Sequence, residues 1–99
     1  MKRREGFERL EQEIVKEKAA ALGRAGERLE AALAEAQALG LALDAEAEPG
    51  RRAARLREYE AARQRAASAR TMLLIQREAI GLRHHRVVDQ QFPEPPRRS

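Results

Sequence analysis

The chain carries one strong internal break. In AEAEPGRR, residues 45–52, Pro49 stands next to Gly50. Proline disfavours helix at the residue before it, and glycine tolerates turn geometry, so a turn is expected at about residues 45–50. The pattern on both sides is helical. Phe7, Leu10, Ile14, Ala21, Leu22, Ala25, Leu29, Ala32, Leu33, Ala36 and Leu43 recur at helical steps, and so do Leu56, Tyr59, Ala62, Ala66, Ala69, Leu73 and Ile80. Helix 1 is expected over about 5–44 and helix 2 over about 51–87, which together make an antiparallel hairpin spanning 1–88. Several helix 1 positions are related by eleven (Leu10, Ala21, Ala32, Leu43; also Ile14, Ala25, Ala36). That spacing keeps a helix nearly straight.

Composition sharpens the expectation. Aromatic residues make up 3% of 99 residues, and alanine fills many apolar positions, so one hairpin has little bulk for a core. A chain this short is marginal in the surface it buries. From Met72 onward a second apolar row, Met72, Ile75, Ala79 and Leu82, joins the first on another side of helix 2, and one hairpin mate cannot cover both. The expected fold class is therefore all-α: a two-helix hairpin dimerising into a four-helix bundle, with an extended, proline-rich tail at 89–99. DQQFPEPPRRS has three prolines and no period, and Phe92 is its candidate anchor.

Gly23 and Gly26 interrupt EKAAALGRAGERLEAAL, yet nothing nearby caps a new helix, so helix 1 should run through them. On the helical wheel they sit beside the main apolar stripe, where another backbone could approach closely. With Met72, Leu73, Ile75, Ala79 and Leu82 they form the expected oligomer interface. Taking the turn near residue 47 sets Ile14 level with Ile80, Ala21 with Leu73, and Leu29 with Ala66.

The segments EQEIVKEKAAALGRAGERLEAAL and LLIQREAIGLRHHRVV, with the patterns EKAxALGRAG and QREAxGLRxH, resemble a small family of bacterial helical proteins classed as a domain of unknown function. The resemblance covers both helices and implies a helical hairpin. It implies no activity and transfers no catalytic residue.

Charge is uneven. Residues 1–48 hold 8 basic and 11 acidic side chains, and residues 49–99 hold 12 basic and 5 acidic. Arg63, Arg70 and Arg77 recur every seven residues and His84 continues the row. This edge either contacts nucleic-acid phosphates or pairs with Glu30, Glu27 and Glu17 of helix 1. Arg51, Arg52, Arg55 and Arg57 form a second basic cluster expected to face solvent. The scarcity of aromatic residues weakens an RNA reading.

At the other end, Lys18, Arg77, Glu78 and His85 form a polar cluster. Lys18 falls in line with the apolar stripe and either pairs with Glu17 or Glu78 or lays its stem along the surface. Glu13, Glu17 and His84 are weak candidates for a metal or small-ligand site. No Glu-x-x-His is present, and the adjacent histidines point about 100° apart on a helix.

No cysteine is present, which excludes disulfides and thiolate sites. Ser68 and Thr71 lack an evident activating base, and Gly81 before basic residues is no phosphate loop; it permits close contact or weakens the last turns. FPEPP offers a motif for an SH3-type groove. The charged start offers no apolar core for a signal peptide, and no run approaches the length of a membrane span. The expectation is a cytoplasmic, non-enzymatic, homodimeric helical-hairpin adaptor without a cofactor, open to a protein partner. Nucleic-acid binding and the metal or ligand site are the alternatives.

Overall fold

The computed structural model describes residues 2–99, with side chains from Arg4 onward. Its regular structure is all helical: α1 at Lys2–Ala45, α2 at Pro49–Ala79 and α3 at Arg86–Gln91. The two long helices pack against each other as an antiparallel pair. The molecule is a rod of 73 × 21 × 14 Å, and α1 alone accounts for about 66 Å of its length at 1.5 Å per residue.

The break in AEAEPGRR is tighter than the dipeptide suggested. Pro49 and Gly50 do not form the turn; they begin α2. Glu48 is the N-cap, and its carboxylate accepts from the backbone N–H groups of Gly50 at 3.0 Å and Arg51 at 2.6 Å. Pro49 is tolerated at the first helical position because its missing N–H would have had no helical partner there. The connection shrinks to Glu46–Glu48.

The core is built from small residues. Ala25, Leu29, Ala36 and Leu43 of α1 are buried against Tyr59, Ala62, Ala66 and Leu73 of α2. Alanine at the facing positions lets the helices approach closely. Gly40 marks the extreme: a Cβ built there would sit 2.9 Å from Cε1 of Tyr59 and 3.1 Å from Nη2 of Arg98. Tyr59, only 1% exposed, fills the space that Gly40 leaves.

Helix 2 stops eight residues short of the expected end, at Ala79 rather than 87. The cause is Gly81, whose φ of +89° belongs to the left-handed region. The N–H of Gly81 donates to the carbonyl of Glu78 at 3.0 Å, and that of Leu82 donates to Arg77 at 3.0 Å. This is the Schellman arrangement, which satisfies the last carbonyls of a helix and needs glycine at the left-handed position. Gly81 is a stop signal, not a weak point within a helix.

The stop has two consequences. First, the chain returns: α3 sets Val88 into a cluster with Ala25, Leu29 and Leu73, and Phe92 packs against it. Leu73 of the first apolar row thereby gains α3 as a second neighbour, while Met72, Ile75, Ala79 and Leu82 of the second row remain exposed. Second, α1 outlasts its mate. Gly40 lies against Tyr59 and Glu35 against Arg65, a register that places Ile80 near Ala20 rather than level with Ile14. Every residue from Arg4 to Ala20 is exposed. Phe7, Leu10 and Ile14, expected in the core stripe, instead lie on an uncovered helix.

A Cβ added at Gly23 or Gly26 would meet no atom within 4 Å, whereas one at Gly40 would, so the three glycines should respond differently to alanine. Gly23→Ala and Gly26→Ala should each stabilise the fold by up to about 1 kcal/mol through helix propensity. Gly40→Ala should destabilise it despite the same gain, because Tyr59 has to move. Thermal melting of the three variants checks this; a gain at Gly40 would contradict the close approach.

Candidate functional site

After Phe92 the chain has no regular structure, yet it is docked. It runs along the cleft between α1 and α2 toward the closed end of the hairpin. Extended chain advances about 3.1 Å per residue and helix about 1.5 Å, so a few tail residues keep pace with many of α2. Nε of Arg63 donates to the carbonyl of Pro95 at 3.2 Å, and the Tyr59 hydroxyl donates to that of Pro96 at 2.5 Å. Nη2 of Arg52 donates to the main-chain oxygen of Ser99 at 3.0 Å. Arg98 binds the carboxylate of Asp44, with Nη1 2.7 Å from Oδ1, and its guanidinium lies 5.2 Å from the centre of the Tyr59 ring.

This docking uses the arginine row that the sequence singled out. Arg63 holds the tail and pairs with Glu60 and Glu94. Arg70 pairs with Asp89 of α3. Arg77 donates to the carbonyl of His84 at 2.9 Å and to Nδ1 of His85 at 3.3 Å. The seven-residue spacing puts all three arginines on one flank of α2, and their partners come from the returning segment and from Glu60 of α2 itself, not from Glu30, Glu27 or Glu17 of α1. Side chains already satisfied within the chain must give up those contacts before meeting a phosphate.

Of the post-turn arginines, Arg51 and Arg57 face solvent as expected and Arg52 and Arg55 are half-buried, and three of the four make contacts within the chain. Arg51 and Arg55 reach Oε1 of Glu46 at 3.0 and 3.4 Å. Arg52 donates to the carbonyl of Leu43 at 3.0 Å, at the C-terminal end of α1 where cations are favoured. Arg57 alone of the four is exposed without a contact of this kind.

The polar cluster forms in part. Nε2 of His85 lies 3.1 Å from Oε1 of Glu78 and its Nδ1 accepts from Arg77, so both ring nitrogens have partners. Lys18 is exposed on the protruding part of α1 and stands outside this group. Glu13 and Glu17 are on that same segment, and His84 is exposed. Among the described residues no group of three or more His, Cys, Asp or Glu side chains is placed to hold a metal ion. Thr71 donates its hydroxyl to the carbonyl of Ala67 one turn back, at 3.1 Å.

The expected interface residues occupy two flanks. At about 100° per residue, Met72, Ile75 and Ala79 lie on the side of α2 away from Arg63, Arg70 and Arg77. Gly23 and Gly26 lie on the other side, lining a crevice beside Val87, Val88 and Phe92. Leu73 belongs to the core rather than to any outer surface. Met72, Ile75, Ala79 and Leu82 are exposed. They adjoin the base of the uncovered α1 segment, where Phe7 is 61% and Val15 65% exposed.

Gly40, Asp44, Arg52 and Arg98 were not legible in the sequence as parts of one site. Their signal is weak: a lone aspartate near the end of helix 1 and arginines in a proline-rich tail announce complementarity only once the chain is known to return. No helix among the described residues is long and apolar enough to cross a membrane. No family model matches the chain, and no curated protein or solved structure matches it either.

At the closed end, burial by itself would raise the pKa of Glu46, but hydrogen bonds from Arg51, the Glu48 N–H and Arg55 outweigh it and hold the carboxyl below its usual value. A lowered folded-state pKa gives stability that is present above the unfolded pKa and lost as pH falls through the folded one. Glu46→Gln should therefore flatten the acid limb of a plot of melting temperature against pH. An acid limb identical to that of the parent would show that the Arg51–Glu46–Arg55 contact adds nothing.

Proposed function

We propose that the chain is a non-enzymatic interaction module that works as a homodimer, each copy using its protruding α1 segment and the adjoining Met72–Ile75–Ala79 flank. One observation carries this reading. Residues 4–19 form about 24 Å of helix whose side chains are all exposed, and they hold Phe7, Leu10, Ile14 and Val15 in the open. A lone helix of that length is marginal in water, and most helical stability in proteins comes from packing an apolar face. Met72, Ile75 and Ala79, exposed on one side of α2 near the open end of the hairpin, are the surface on which such a segment from a second copy would lie.

Symmetry accommodates the same pairing. A two-fold axis would let each copy lay its protruding helix on the other's flank, an exchange that satisfies both surfaces at once. Over that region four helices would pack together. The paired arginines of α2 give no comparable support to nucleic-acid binding, and the separated Glu13, Glu17 and His84 give none to a metal site.

The test is the mass in solution. Light scattering at micromolar concentration should give twice the mass of the chain. Ile75→Glu loses about 2 kcal/mol of burial in each copy, so the two-fold interface should weaken on the order of a thousandfold. A parent protein that is monomeric and fully helical, or an Ile75→Glu variant of unchanged mass, would reject the proposed surface.

A further inference from the structure

We propose that the cleft between α1 and α2 is a recognition site for extended, proline-rich peptides with an arginine two residues beyond the second of two spaced prolines, and that residues 92–98 are its intramolecular ligand. The intended occupant is a segment of this chemistry from another protein, which takes the place of the tail. Four features of the cleft carry the inference, supplied by the hairpin and, in the first, also by Val88 of α3.

The first is an apolar seat. Phe92 packs beside Leu33 and the cluster of Leu29, Leu73 and Val88. The second is a pair of carbonyl readers. Proline has no N–H, so a proline-rich segment presents only carbonyls to be satisfied. Arg63 and Tyr59 donate to two successive ones, those of Pro95 and Pro96. The third is a cation pocket. Asp44 binds the guanidinium of Arg98, and the Tyr59 ring stacks near it at 5.2 Å. The fourth is room for that guanidinium, kept open because Gly40 has no Cβ to meet Nη2 of Arg98.

These contacts fall on Pro93-x-x-Pro96-x-Arg98 and read features that any peptide of this pattern carries: a bulky apolar start, two carbonyls and a cation. Only Glu94, 3.5 Å from Arg63, adds something particular to this tail. Aromatic-lined grooves that dock proline-rich segments are a general recognition mode, helped by the low entropy of a chain already extended. Here the aromatic residue is buried and rigid, and the acidic residue lies one helical turn from Gly40 on the same helix.

The tail is also replaceable on physical grounds. Nε of Arg98 is buried without a hydrogen-bond partner, so the docked guanidinium forfeits part of its hydration. Tethering adds to the tail's contacts: a linked segment acts at an effective concentration in the millimolar range. A second copy is a poor source of the competing segment, because the surface proposed for dimerisation lies on the opposite flank. The cleft is complete within one copy, with or without that dimer.

A fluorescent peptide, QFPEPPRRS, tests it against the full-length chain. Arg98→Glu removes the tail's own cation, so this variant should bind the peptide at least about tenfold more tightly than the parent, whose tail competes in cis. Replacing both prolines of the PP pair in the peptide by alanine should weaken binding about tenfold. No binding to Arg98→Glu at millimolar peptide, with helicity unchanged, would overturn the proposal, as would equal binding of the alanine peptide. A measurement on the unaltered chain covers the case in which the variant misfolds. Millimolar unlabelled peptide should move the Arg98 and Ser99 resonances to random-coil positions while those of α1 and α2 persist; unmoved tail resonances would also overturn it.

Discussion

The left-handed turn at Gly81 is the constraint from which the rest of the architecture follows. Without it, α2 would continue past Ala79 alongside α1. With it, the last carbonyls of α2 find their partners locally and the chain is turned back. That single reversal leaves the first part of α1 without a mate. It also delivers α3 and the tail to the cleft beside Arg77, Arg70, Arg63 and Tyr59. The exposed surface and the filled cleft are two results of one stop.

The return matters because the hairpin core is thin. Alanine at Ala25, Ala36, Ala62 and Ala66 allows close helix approach but buries little apolar area per residue. Val88 and Phe92 add bulk over Leu29 and Leu73, and the tail covers Tyr59 from the other side. A third layer, short in sequence, supplies part of what a two-helix pair of this composition lacks. The arginines act in the same sense: each surface pair contributes modestly, but a row at seven-residue spacing fixes the register of the returning segment.

The two long helices were legible because their apolar residues recur at helical steps and one Pro-Gly pair separates them. Their ends were not. Pro49 marks both a break and a favourable first helical residue, and only the Glu48 cap distinguishes the two. Gly81 carried the right signal, a glycine between Ile80 and Leu82 near a helix end, but His84 continued the seven-residue arginine row beyond it and masked it. Arg63, Arg70 and Arg77 were recognised as a row, though their partners were sought in α1. Placing Phe7, Leu10 and Ile14 in the core followed from the missed stop together with a register about six residues off, which set the expected end of α2 level with Phe7. Gly23 and Gly26 drew attention as costs to helix propensity; the glycine that packing requires is Gly40, whose role depends on which residue faces it across the cleft.

The reversal at Gly81 is therefore what most needs direct observation, and backbone NMR gives it. Helical carbon shifts should end at Ala79, Gly81 should show positive φ, and nuclear Overhauser contacts should join the Val88 methyls to Leu29 and Leu73. Helical shifts running unbroken from Pro49 to Arg86, with no contact between Val88 and Leu29, would contradict the account.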